Sequence, residues 1–222
     1  TAVERMNERV LKVFGIGESA IEKVLADLLN QADVTITLLA KRAEMHIRLV
    51  ARCPQTAAAG AAERLDQLEK EIRRRLGNKI FGRDQETMIG IIGRMLSERN
   101  LTLSSAESCT GGLIGAALTQ EPGSSKFYLG GVVSYANSLK QDLLGVRGEI
   151  LNAFGAVSEE VAKEMAEGIR SKTGSDLAVS TTGIAGPDGG SNEKPVGLVY
   201  IGFATPEGVH AEKFQFYGER DS

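Results

Sequence analysis

Apolar residues recur at helical spacing at Ile21, Val24, Leu25, Leu28 and Leu29, and Ser19 with Glu22 has the form of a capping box, so a first helix is predicted near 19–31. VTITLL (34–39) is rich in β-formers and MHIRLVA (45–51) alternates apolar with polar, which predicts a hairpin around KRAE. Leu65, Leu68, Ile72 and Leu76 then form the apolar stripe of a long helix that Gly77 is placed to end. With a strand or arm at the start, these elements make a small α+β unit. NKIFGRD (78–84) reads as a linker, and the alanine cluster at 57–62 as a stretch prone to fray.

The pattern changes after residue 84. A helix is predicted over 85–99, with Met88, Ile91, Ile92, Met95 and Leu96 on one face. LTLSS, a helix after Thr110, the strand GGVVSYA and a helix on NSLKQDLLG follow in turn. Ser158 opens a further helix whose inward face includes Val161, Met165 and Ile169, and the strand DLAVSTT comes next. Beyond a glycine-rich loop, VGLVYIGFAT and VHAEKFQFY read as paired strands. Helices alternating with apolar strands predict a layered α/β domain with at least partly parallel pairing.

Composition narrows the function classes. The 222 residues, 42% hydrophobic and 25% charged, suffice for one large domain or two small ones, each with a core. No run reaches the ~20 apolar residues of a membrane span, and TAVERMNERV lacks the apolar segment of a secretion signal, so a cytoplasmic protein is expected. Cys53 and Cys109 lie far apart and outside metal-ligand spacing, and only His46 and His210 are available for a histidine-based triad. The net charge of −3 hides an asymmetry: residues 1–83 carry 15 Lys/Arg against 11 Asp/Glu, the remainder 11 against 18. Such a split favours two units with different partners.

Three stretches can carry chemistry. In SSAESCTGGLIG (104–115) the amides of Thr110, Gly111 and Gly112 are expected to point out of a helix's first turn, where they would stabilise an anion, either a phosphate or an oxyanion. Taken alone, the stretch reads first as a tight strand-to-helix turn that tolerates glycine, and Ser108 and Cys109 are equal candidates for attack. It is neither a G-x-S-x-G elbow nor a P-loop. GGVVSYANSLK sets Tyr135 five residues before Lys140, and a lysine kept neutral by burial can take a hydroxyl proton, yet helix lysines are usually solvated and strand tyrosines usually pack. STTGIAGPDGGSNEKPVG places Thr181 and Thr182 at a strand's carboxyl end before Gly183, Gly186, Gly189 and Gly190, where α/β proteins bind ligands, although a plain surface loop has the same composition. His46 reads as a surface residue, and the run Arg73, Arg74, Arg75 as a solvated helix face before a nucleic-acid contact.

Together AESCTGGLI (106–114), GGVVSYANSLK (130–140), GAVSEEVAKEMAEGIR (155–170) and STTGIAGPDGGSNEKPVGLVYIG (180–202) resemble the nicotinamide mononucleotide deamidase domain of the CinA (competence- and damage-inducible) family, over roughly residues 84–222. KVFGIGESAIEKVL, the LLAKRAE turn and LGNKIFG are similar to the small KH-like middle domain of long family members. The resemblance implies a three-layer α/β/α domain after a small α+β KH-like domain, divided at 83/84. It further implies hydrolysis of nicotinamide mononucleotide to nicotinic acid mononucleotide and ammonia, as in pyridine nucleotide salvage, with no cofactor and no metal.

Carried onto this sequence, the resemblance makes Ser108 the nucleophile and Tyr135 and Lys140 its activators, with Thr182 supplying a hydroxyl and Arg220 lying near the nucleotide phosphate. Thr110, Gly111, Gly112, Thr181, Gly183 and Gly186 join Arg220 as substrate-binding positions. The expected partner is a small nucleotide, with the chain a homo-oligomer, a dimer, and no membrane. Nucleic acid is not the expected partner, because the small domain lacks a G-x-x-G loop between helices: G-I-G at 15–17 precedes the first helix. Nothing here matches the molybdopterin-binding-like domain that opens long family members, and the helix that closes the family's deamidase domain is not seen after GERDS. The competing class is a non-catalytic nucleotide-binding or regulatory module using the same amides and glycines.

Overall fold

The computed structural model describes residues 4–29, 33–41, 43–54 and 58–217. The chain divides into two compact units, Thr1–Ile91 and Ile92–Ser222.

The first unit runs β1 (Glu4–Val13), α1 (Glu18–Leu25), β2 (Val34–Lys41), β3 (Glu44–Pro54), α2 (Ala58–Leu76), a 3-10 turn (Gly77–Lys79) and β4 (Ile80–Arg83). Its antiparallel sheet has the order β2-β3-β1-β4. Because strand side chains alternate, Leu11 and Val13 of β1 fall on the same face as Ile47 and Leu49 of β3, and that face buries against Ile21 and Leu25 of α1 and Leu65, Leu68, Ile72 and Leu76 of α2. The predicted stripe of α2 is thus its core face. The hairpin closes with Lys41 opposite Glu44.

Two expectations are corrected here. The first helix ends at Leu25, and Gly17 stands at its N-cap with no side-chain cap, so Ser19 and Glu22 do not form a capping box. Residues 78–84 are not a linker: Ile80 is 7% exposed in the core, and β4 pairs with β1 at the sheet edge. The burial of Ile80 outweighs the loop-like composition around it. The basic run on α2 is internally neutralised. Arg73 bonds Glu69, Arg74 bonds Glu71, and Arg75 bonds both Glu71 and Asp27. Arg74 and Arg75 hold the Glu71 carboxyl down to about 2.

The division between the units falls within α3 (Met88–Glu98), where Leu96 is buried but Met95 is 48% exposed, so the predicted apolar face is only partly inward. The second unit continues with β5 (Leu103–Glu107), α4 (Leu113–Gln120), β6 (Tyr128–Val133), α5 (Asn137–Leu144), α6 (Gly148–Phe154), α7 (Glu159–Thr173), β7 (Leu177–Gly183), β8 (Leu198–Thr205) and β9 (Gly208–Gln215). Helix α6 has no counterpart in the sequence reading. The sheet order is β6-β5-β7-β8-β9, with β6, β5 and β7 parallel and β8 and β9 antiparallel.

Helices cover both faces, giving the three-layer α/β arrangement. Ala106, Ala178 and Ala204 meet Val161, Met165 and Ile169 of α7 on one face, with α5 and α6 packed onto α7. The side chains that alternate with them, Ser105 and Glu107, point to Tyr128 and to the start of α4. Ser158 caps α7 by accepting from the Val161 amide, as its sequence position predicts. Among the described residues no helix is long and apolar enough to cross a membrane.

Candidate active site

The parallel strands β5, β6 and β7 end side by side, with Glu107 opposite both Val133 and Thr181. The residues that follow these ends therefore meet: Ser108 after β5, Ser134 and Tyr135 after β6, and Thr182 and Gly183 closing β7. Carboxyl ends of parallel strands are where layered α/β proteins build sites.

Ser108 is 8% exposed; its amide donates to the Thr181 carbonyl at 3.0 Å, and its carbonyl accepts from Gly111 at 3.1 Å. Gly111 and Gly112 have φ of 61° and 104°, which the turn into α4 requires and which side chains disfavour. The Glu107 side chain, 2% exposed, stabilises that turn. Its Oε2 accepts from the Thr110 hydroxyl at 2.7 Å and from the amides of Gly112 and Ile114 at 2.9 and 3.1 Å. Its Oε1 accepts from Gly115 at 2.8 Å. A carboxylate from the preceding strand thus fills the helix start, which has no side-chain cap of its own.

Lys140 shares the inward face of α5 with Leu144, one turn on, and is 1% exposed. Its Nζ lies 3.0 Å from Ser108 Oγ, 2.7 Å from the Ser134 carbonyl and 3.2 Å from the Tyr135 carbonyl. Burial pushes its pKa below the ordinary lysine value, because a buried ammonium loses hydration. In the neutral form two N–H bonds can keep the two carbonyls while the lone pair faces Ser108 Oγ. Burial pushes the Cys109 thiol up, against the opposing pull of the Cys109 and Thr110 amides and of Lys140.

Ser108, Cys109, Tyr135, Lys140 and Thr182 line one cavity of about 270 Å³, together with Asn137, Ala156, Val157 and the loop Gly183–Gly186, Asp188 and Gly189. Of the residues singled out from the sequence, it gathers Ser108, Tyr135, Lys140, Thr182, Gly183 and Gly186. Two of these act differently from their expected roles. Tyr135 offers Lys140 its carbonyl, while its ring stands 62% exposed. The Thr182 hydroxyl donates to the Ala156 carbonyl at 2.7 Å, tying β7 to the segment before α7.

Thr110, Gly111, Gly112 and Thr181 do not line the cavity. The Thr181 hydroxyl pairs with that of Thr110 at 2.7 Å, and the Gly112 amide is held by Glu107, so the anion expected at this helix start is the protein's own carboxylate. Arg220 lies outside the described residues. Sequence reasoning missed Glu107, Asn137 and Asp188. The available signals were an acid closing an apolar strand before a glycine turn, and polar residues inside the SYAN and GPDGG stretches. Among the described residues no cluster of three or more His, Cys, Asp or Glu is placed to hold a metal ion.

The chain is similar to known proteins along nearly its whole length. Residues 8–82 match the damage-inducible protein CinA KH domain and residues 85–222 the CinA C-terminal domain. A putative competence-damage inducible protein of Caldanaerobacter subterraneus subsp. tengcongensis is 47% identical over 98% of this chain and 52% of its own length. One from Moorella thermoacetica is 49% identical over 96% and 51%. The chain therefore spans about half the length of these curated relatives. Among solved structures, the competence/damage inducible protein CihA of Agrobacterium tumefaciens is 45% identical, with a TM-score of 0.58 over 60% of this chain and 82% of that one. The competence damage-inducible protein A of Klebsiella pneumoniae is 36% identical, with a TM-score of 0.57 over 59% and 81%. With a KH domain and a C-terminal domain matched in order, the chain belongs to the CinA family.

Proposed function

We propose that the second unit is a serine amidase that hydrolyses the carboxamide of nicotinamide mononucleotide to the acid and ammonia, with Lys140 as general base. The observation that carries this reading is the buried Lys140 Nζ, 3.0 Å from Ser108 Oγ and tethered by two carbonyls. The substrate rests on the resemblance to the CinA deamidase domain. Lys140 takes the Ser108 proton as Oγ attacks the carboxamide carbon, then returns it to the departing nitrogen, releasing ammonia and leaving an acyl-serine. Water, deprotonated by the same amine, attacks the ester and frees the acid. Among the described residues the amide of Cys109, which lines the cavity, has no backbone carbonyl partner, and we assign it the oxyanion in place of Gly112.

The test is ammonia release from the mononucleotide by the whole chain and by Ser108→Ala. The variant is expected to lose activity by about 10³-fold or more. Normal release by the variant would remove Ser108 from the mechanism, and binding without release by the unaltered chain would favour a regulatory module.

A further inference from the structure

Among the described residues, Ser134 Oγ is the one buried side-chain nitrogen or oxygen with no hydrogen-bond partner, in a residue that is 0% exposed. A hydroxyl that has given up water for nothing is destabilising and points to a use. Strand register shows what surrounds it. Val132 pairs with Ala106 and Val133 with Glu107, and the Ser134 amide donates to the Glu107 carbonyl at 2.8 Å, so the ladder runs on and sets Ser134 abreast of Ser108. By alternation both serines share the face of Ala106 and Val132, which packs against Leu144 of α5 and Met165 of α7. Lys140 reaches the pair from α5, with its Nζ 3.0 Å from Ser108 Oγ and 2.7 Å from the carbonyl of Ser134 itself. Covalent geometry keeps a serine hydroxyl within about 5 Å of its own carbonyl oxygen, which puts Ser134 Oγ on the order of 5–7 Å from the amine. Ser134 does not line the cavity, so its hydroxyl acts on the chemistry through its neighbours.

We infer that Ser134 is a positioning residue for the base: its hydroxyl turns its oxygen toward Lys140 when the amine carries a proton and away when it does not. The inference rests on the amidase reading, in which Lys140 gains and gives up a proton at each step. Because the hydroxyl has no bond to break, it rotates freely, and in a buried site its dipole acts on a charge more strongly than it would in water. It therefore offsets part of the burial penalty on the charged amine and strengthens the base that takes the Ser108 proton. The other titratable groups on the elements around Lys140 are differently placed. Cys109, Tyr135 and Asp188 line the cavity from the turn after β5, the end of β6 and the loop after β7. Glu107 faces the start of α4, and Asp142 of α5 is exposed. On α7, Glu164 and Glu167 pair with Arg147 and Arg170. Burial acts most strongly on the amine and Cys109 next.

The test follows Lys140 itself. The full chain is labelled with 13C at lysine Cε, the Lys140 signal is assigned by its loss in Lys140→Arg, and its titration is read by NMR in the unaltered chain, Ser134→Ala and Ser134→Thr. Loss of the hydroxyl is expected to lower the midpoint by at least about 0.3 pH unit, a twofold loss of proton affinity, and Ser134→Thr to hold it within about 0.1 unit. Since no bond is lost, Ser134→Ala should melt within about 2 °C of the unaltered chain. Equal midpoints, a raised midpoint, or as large a fall in Ser134→Thr as in Ser134→Ala overturns the inference. So does a melting point lowered by more than about 5 °C in Ser134→Ala, which would reveal a structural partner for the hydroxyl. If Ser134→Thr does not fold, the comparison with Ser134→Ala decides alone. Ammonia release is read on the same chains. A lowered midpoint in a protein that releases no ammonia would uphold the action of Ser134 on Lys140 and remove the amidase reading; ammonia with an unmoved midpoint would do the reverse.

Discussion

Glu107 and Lys140, the two buried ionisable side chains among the described residues of the second unit, bracket Ser108 and are held by opposite means. N–H and O–H donors surround the carboxylate of Glu107, and carbonyl oxygens receive the Nζ of Lys140. One fixes the turn that carries the serine, and the other touches its hydroxyl.

Removal of the Glu107 carboxylate leaves three amides and the Thr110 hydroxyl without their acceptor. Glu107→Ala is expected to lower stability by about 3 kcal/mol, because buried donors without partners bear their desolvation cost in full. Denaturant unfolding of the variant measures this loss. A change below about 0.5 kcal/mol would show that the helix start finds other partners.

Lys140 can act as a base only when neutral. Its pKa is lowered by burial, so the neutral fraction, and with it activity, should rise with pH through a limb lying below the ordinary lysine value and fall away at acid pH. The stability sign is the same. The unfolded chain holds the proton more tightly, so stability should rise with pH between the lowered folded value and the ordinary one. Lys140→Arg, which cannot give up its proton, should lose activity by about 100-fold or more. A flat acid limb, or an active arginine variant, would exclude Lys140 as the base.

Cys109 lines the cavity beside Ser108, but burial keeps its thiol protonated, and a thiol attacks as the thiolate. Cys109→Ala should therefore retain ammonia release within about fivefold of the unaltered chain, whereas Ser108→Ala should not. Loss of activity in the cysteine variant with retention in the serine variant would exchange the two roles.

Gly168 on α7 packs directly beneath the last residue of α5. A methyl group there would fall well inside contact distance of the Leu144 carbonyl, a backbone atom with no rotamer to yield. Gly168→Ala should cost about 2–3 kcal/mol of stability and also reduce turnover, since Lys140 sits one turn before Leu144 on the displaced helix. A melting curve and an ammonia assay on one preparation check both effects. A stable, fully active variant would mean that α5 is free to shift without moving the lysine.

Periodicity identified most elements because each reports on local burial: the stripe Leu65, Leu68, Ile72, Leu76 and the inward set Val161, Met165, Ile169 are both core faces. It failed where long-range contact outweighed local chemistry. Ile80 became strand because β1 was there to pair with, and Ser19 and Glu22 form no cap because the helix starts two residues earlier than their spacing requires. The short α6, seven residues without a side-chain cap, gave little periodic signal.

By itself the sequence determined the family, the two units and the gathering of Ser108, Tyr135, Lys140 and Thr182 near strand ends, because motifs and alternation are properties of neighbouring residues. Only the tertiary structure decided what these groups do. Glu107 reaches five to eight residues ahead to take the amides expected to hold a ligand's anion. Lys140 crosses 32 positions to reach Ser108 in a place where water cannot hold its charge. Burial and hydrogen-bond partners depend on how distant segments meet, and that meeting buries a helix lysine against the Ser108 hydroxyl and makes a glycine turn a mount for the serine.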